Sequence, residues 1–175
     1  TRIKGRVRSM QGTMSGGTLA SFKATMAAAG KNPELIKVLM DSFALTEGVV
    51  GPEQPSGLAP IYEEDLNSWS APFIMATINT KNIHRSNFLL GHRYGENFVY
   101  DEMMLTGPGE QGEAIAKGVA ADKSMVESTI QPGEGPSKEE RENGSYDVMF
   151  SGSNDSGYKA VASVQGDKDP GYGST

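Results

Sequence analysis

The 175-residue sequence predicts an α+β domain, with a mostly antiparallel or mixed sheet and helices packed on one face. Three observations predict it. The candidate elements run strand, helices, strand, helix, strand, strand, without the regular βαβ alternation that builds a parallel sheet. Ile3 to Gln11 alternates at the two-residue period of a strand. Tyr146 to Ser151 and Tyr158 to Gln165 alternate likewise, and Gly152-Ser153-Asn154-Asp155-Ser156-Gly157 between them is a hairpin signal.

Each element has a local cause. Gly12 to Gly17 is a small-residue turn that ends the first strand. Leu19, Phe22, Ala24 and Met26 to Ala29 then predict a helix, capped by Ser15 or Thr18 and closed by Gly30. Asn32-Pro33-Glu34 starts a second, short helix through Met40, with Asn32 as cap and Pro33 in the first turn. Gly48 to Asn67, rich in proline and acid, reads as an ordered surface loop. Ser70-Ala71-Pro72 is expected to open the longest helix, about 18 residues to Leu90, stopped by Gly91. Gly95-Glu96-Asn97 turns into a strand from Phe98 to Thr106, which Gly107-Pro108-Gly109 ends. Glu110 to Lys123 supports another helix, Gln131 to Asn143 a loop, and Gly171 to Thr175 a flexible end.

Bulk properties narrow the class. With 37% hydrophobic and 22% charged residues the chain should fold as an ordinary globular domain, and its length suits one domain. A formal charge of -6 repels nucleic acid, so no nucleic-acid partner is expected. Basic residues cluster only at Arg2, Lys4, Arg6 and Arg8, which a strand places on one side. That side reads as a solvated sheet face, an edge protected by charge, or a surface for an anionic ligand or partner. Zero cysteines exclude disulfides, thiolate metal sites and cysteine nucleophiles. No run approaches the ~20 apolar residues of a membrane span and no signal peptide is visible, so a cytoplasmic setting without a membrane span is expected. Opening at Thr1 without an initiator Met, the chain reads as a piece of a larger protein.

Few residues carry chemistry on their face. Gly12 to Thr18, between a strand and a helix, could offer backbone N–H groups to an anion; Ser15, Gly16, Gly17 and Thr18 are therefore candidate contacts to a substrate carboxylate or phosphate. The alternative is a tight turn with a helix cap. It is neither a P-loop, since Gly17 stands where the lysine should be, nor a GxGxxG fingerprint. The helix around residue 80 is unusually polar. Asn79, Asn82 and Arg85 recur at i+3, Asn is a poor helix-interior residue, and Arg among amides can hold a carboxylate. The stripe is either ligand-facing or a solvated or interface surface. His84 and His92 could act as acid or base, but their spacing is wrong for a helical metal pair and no metal is expected. Glu63-Glu64-Asp65 reads as a solvated charge run. Tyr100 and Glu102 share a strand face, with core packing an equal explanation for the tyrosine, and Tyr94 is noted beside them. No nucleophile, base and orienting group can be assembled from these residues, so catalytic residues stay unassigned.

Three stretches carry a family likeness. Gly5-Arg6-Val7-Arg8-Ser9-Met10 leading into Ser15 to Ser21, Ser70-Ala71-Pro72-Phe73 leading to Asn82-Ile83-His84-Arg85-Ser86, and Gly133-Glu134-Gly135-Pro136-Ser137 with Glu140, Arg141 and Gly144 occur in order along most of the chain. Together they resemble the second domain of saccharopine dehydrogenase-like oxidoreductases. The resemblance implies an N-terminal Rossmann domain holding NAD(P) and a second α+β domain that shapes the substrate site and often the dimer contact; some members of the wider family act on lipid-like enoyl compounds. It implies that this chain is the substrate-side domain, lacking the cofactor-binding half and inactive alone. Its expected partners are the Rossmann domain of its parent chain, a small-molecule substrate and a second copy of itself. Ser15 to Thr18 and the Asn82, His84 and Arg85 face would turn toward the cleft. The alternative is a non-catalytic ligand-binding or oligomerisation module.

Overall fold

A computed structural model describes residues 1–169, and the reading of Gly171 to Thr175 lies outside them. The first strand, β1 (Arg2–Gln11), occupies a central place because both of its faces are used. Ile3, Gly5 and Val7 point to one side and the four cations to the other, as the strand period requires. Two helices follow, α1 (Gly16–Lys31) and α2 (Pro33–Met40). Ser15 caps α1 by accepting from the Thr18 N–H. Asn32 serves both helices: its own N–H closes α1 on the Ala28 and Ala29 carbonyls, and its side chain accepts from Glu34 at the start of α2.

Beyond these come β2 (Ile61–Glu63), a single 3-10 turn at Glu64–Leu66, β3 (Ser68–Pro72), α3 (Ala76–Leu89) and β4 (Val99–Gly107). The remainder is α4 (Gly109–Ala121), α5 (Ser124–Glu127), α6 (Lys138–Glu142), β5 (Ser145–Ser153) and β6 (Lys159–Gly166). The strands form one six-stranded sheet in the order β2-β3-β4-β1-β5-β6. β1 and β4 are parallel and the other neighbours antiparallel, so the sheet is mixed and the domain α+β.

Three expectations change, the first being that Gly48 to Asn67 is not all loop, since it holds β2 and the 3-10 turn. Ser70-Ala71-Pro72 does not open a helix: it lies in β3, with Pro72 at the strand's end opposite Met103, and the helix begins only at Ala76. At 14 residues α3 is shorter than the 16-residue α1. The Ser-x-Pro pattern suits a helix start, but the buried Ser70 hydroxyl is bound to Glu63 across the sheet, so tertiary pairing overrides it. The Gln131 to Asn143 loop contains α6, whose Ser137 and Glu140 form a reciprocal capping box.

The cationic side of β1 is not an edge, and it is solvated only in part, with Arg8 exposed and Arg6 fully buried. Arg6 is 0% exposed, and its donors are all used. Nε and Nη2 donate to the two Glu63 oxygens at 2.5 and 3.0 Å, Nη2 to Asp101 at 2.7 Å, and Nη1 to the carbonyls of Gly5 and Asp101 at 2.8 and 3.3 Å. Lys4 bridges Glu63 and Asp65, Arg2 takes the second Asp101 oxygen, and Arg8 pairs with Asp147. Glu63-Glu64-Asp65 is therefore not simply a solvated run: Glu63 is 4% exposed and Asp65 is tied to Lys4, while Glu64 is exposed.

The network has a pH signature. Burial alone would raise the Glu63 carboxyl, but bonds from Arg6, Ser70 and Lys4 outweigh it and hold the group at about 2, against 4.5 ordinarily. Its contribution is complete above pH 4.5 and is lost as pH falls toward 2. Arg6→Met leaves two buried carboxylates short of their cation and is expected to cost about 3–5 kcal/mol. Urea unfolding at neutral pH measures it. A loss within about 0.5 kcal/mol, the range of an ordinary surface substitution, would show that the network is not a determinant of the fold.

Candidate functional site

The helices lie on the other face. Asn79 of α3 donates to Glu102 at 2.8 Å, and Thr106 of β4 donates to the Gly112 carbonyl of α4 at 2.8 Å. Between them and α1 opens a cleft of about 870 Å³ with a mainly apolar lining, a size typical of small-molecule sites. Glu102 and Met104 of β4 belong to its lining, together with Met26 of α1, Thr77 of α3, Ala120 of α4 and Met125 of α5.

Glu102 brings one of several charged groups to this mainly apolar lining. Tyr100 and Glu102 sit two residues apart on one strand face, and the Tyr100 hydroxyl donates to Glu102 Oε1 at 2.5 Å while Asn79 holds Oε2. Gly5 on the adjacent strand makes the pair fit: a Cβ there would lie 3.0 Å from both Glu102 Cγ and Tyr100 Oη. Burial, followed by the neighbouring carboxylates of Glu102 and Asp101, raises the Tyr100 phenol far above its ordinary value, so it keeps its proton and acts as a donor.

One wall is a strap of residues 41–58. Its Gln54 fills the stretch of β4 that β3 does not reach: Nε2 donates to the Phe98 carbonyl at 3.2 Å and Oε1 accepts from the Tyr100 N–H at 2.9 Å. Lys81 ties α2 to α3 by donating to the carbonyls of Leu39 and Thr77. Burial lowers the Lys81 ammonium, an effect that Asp41 opposes.

The residues singled out from the sequence are not brought together. The Ser15 to Thr18 turn is packed under the chain's own loop: Gly16 N–H donates to Glu134 O at 2.8 Å, and a Cβ on Gly16 would stand 1.7 Å from the Gln131 carbonyl. None of Ser15, Gly16, Gly17 and Thr18 lines the cleft. On α3, Asn82 is exposed, and Arg85 clamps the strap through the Leu45 carbonyl and the Glu47 carboxylate while lying over the Phe88 ring. Of the asparagines, Asn79 holds Glu102 and the buried Asn87 organises the following turn by bonding Gly95 O and Tyr94 N–H. His84 faces inward, 2% exposed, its ring 4.4 Å from Phe43 and 5.7 Å from Phe98. His92 follows the helix with a left-handed φ of 61° and its ring edge-on to Phe88. Most of the cleft's lining escaped the sequence reading, because its residues are apolar or lie in loops. Glu102 does line it, as do Lys81 of the polar helix and the apolar Phe22, Met26, Pro72 and Phe73.

The comparisons bear on class. Neither a family model nor a solved structure matches the chain. A candidate trans-acting enoyl reductase of Mycobacterium tuberculosis is 34% identical over 198 aligned positions, covering 97% of this chain and 46% of the relative. The trans-acting enoyl reductases of Mycobacterium ulcerans and Mycobacterium bovis are 29% and 28% identical, covering 75% and 76% of this chain and 38% of each relative. The chain thus spans less than half the length of these curated relatives. They are named as enoyl reductases and not as saccharopine dehydrogenases, which corrects the family expectation drawn from the sequence motifs.

His84 generates a test of the strap wall. Its Nε2 is buried with no hydrogen-bond partner among the described residues, and burial lowers its pKa below 6.5. The folded state therefore favours the neutral ring: its stability is complete above pH 6.5 and declines as pH falls below it. In His84→Leu, thermal melts across this range should show a smaller loss of Tm on acidification than the parent. An identical loss in both would mean that the ring charges without leaving its aromatic pocket.

Proposed function

We propose that this chain forms the acyl-substrate side of an enoyl reductase, with the nicotinamide dinucleotide held by sequence outside these 175 residues. The observation that carries the reading is the apolar cleft beside Glu102. Its volume and lining suit an alkyl or alkenyl chain, and the relatives that align with this chain are reductases of enoyl groups by name.

The turn after β1 does not offer a dinucleotide its usual cradle. The pyrophosphate is ordinarily cradled by a glycine-rich turn between strand and helix with backbone N–H groups free to face it. The turn in that position here has its Gly16 N–H bound to Glu134 and the Gln131 backbone against it. The sheet has one parallel pair instead of a doubly wound set. What these residues do in the proposed reaction is bind the chain, exclude water from it and orient it against the strand that carries Tyr100 and Glu102.

The reading predicts a chain-length law. Each methylene buried contributes about 0.8 kcal/mol, so the affinity of the 175-residue chain for a series of alkyl methyl esters should rise about fourfold per carbon until the cleft is filled. Displacement of an apolar fluorescent dye measures it. Ala120→Trp, at an exposed helix position lining the cleft, should abolish the rise without lowering stability. Affinity independent of length, or unaffected by the tryptophan, would place acyl binding elsewhere.

A further inference from the structure

The charge of the cleft says which acyl chains it accepts. Glu102 is 9% exposed, and its two oxygens are taken by neutral donors, the Tyr100 hydroxyl and the Asn79 amide. The carboxylate next to it in sequence is treated differently: Asp101 points to the opposite face and meets the guanidinium groups of Arg2 and Arg6. The charge of Asp101 is matched on site, whereas that of Glu102 is solvated by dipoles alone. Elsewhere in the lining, Asp41, Glu53 and Asp122 outnumber Lys81 and Lys123, and the Lys81 ammonium is engaged by the carbonyls of Leu39 and Thr77.

An entering carboxylate would have to leave water and approach a second carboxylate in a poorly polarisable space. At about 10 Å and an effective dielectric constant near 20 the repulsion corresponds to a factor of roughly ten or more in affinity. A neutral ester or amide head meets no such repulsion, and an ammonium head is attracted. Resting on the reading of the cleft as an acyl-chain site, we infer that Glu102 is its specificity-determining residue, selecting acyl ligands with neutral or cationic heads against free carboxylic acids.

The test compares one alkyl chain carrying in turn a carboxylate, a methyl ester and a primary ammonium head. Each is titrated at neutral pH into the 175-residue chain and into Glu102→Gln, which retains hydrogen-bonding capacity for Tyr100 and Asn79 without the charge. In the parent the ester should bind roughly tenfold or more tightly than the acid, with the ammonium at least equal to the ester. Glu102→Gln should raise the affinity for the acid to that for the ester and leave the ester unchanged. Equal binding of acid and ester in the parent, or a gap that survives in the variant, overturns the inference while leaving acyl binding intact. Failure of all three ligands removes the acyl-chain reading itself. Should Glu102→Gln not fold, Glu102→Met, which also removes the charge, provides the comparison.

Discussion

A single guanidinium organises this domain. Arg6 lies on the central strand with no exposed surface, and a buried cation of that kind is tolerated only when its charge and every donor are met. Meeting them recruits Asp101 from β4 and Glu63 from β2, and Glu63 in turn holds Ser70 of β3. Four of the six strands are thereby fixed relative to one another on one face of the sheet. A buried pair of this kind contributes little net stability compared with an apolar core, so its role is to define the arrangement of β2 and β3, strands of only three and five residues.

The division of labour between the faces follows from strand alternation. Asp101 and Glu102 are neighbours on β4, yet one is neutralised by two arginines and the other stands against an apolar cleft with only a phenol and an amide to solvate it. Gly5 belongs to both stories. It leaves space for the Tyr100–Glu102 contact on one side, and its carbonyl takes an Arg6 donor. The Gln54 side chain completes the design by occupying the open part of the β4 ladder, which turns an otherwise unpaired strand margin into the seat of the strap that walls the cleft.

The parts of this structure with strong local signals were legible in the sequence. β1, α1, α2, β4, α4 and the β5–β6 hairpin follow from alternation, caps and glycine punctuation, and their bounds lie within a few residues of those read from the chain. β2 and β3 were not legible, because Ser68–Pro72 has no β-branched residue and its strand identity depends on the distant Arg6 and Glu63. The site was harder still. Polar residues draw notice in a sequence, and here the noted ones serve the fold: Arg85 clamps the strap, His84 fills an aromatic pocket, and Ser15 caps a helix. A cleft lined by Met26, Met104, Ala120 and Met125 has no sequence motif, and only the tertiary structure assembles it.

The proposed function joins an apolar cleft to relatives that are named as enoyl reductases. An acyl chain in this cleft would lie against its methionines, which supply the probe. Of the nine in the chain, Met26, Met40, Met104 and Met125 line the cleft, while Met10, Met103 and Met149 do not. Methyl-labelled methionine NMR during titration with a neutral alkyl ester should shift the first four resonances and leave the last three in place. Shifts confined to Met10, Met103 and Met149 would contradict the account.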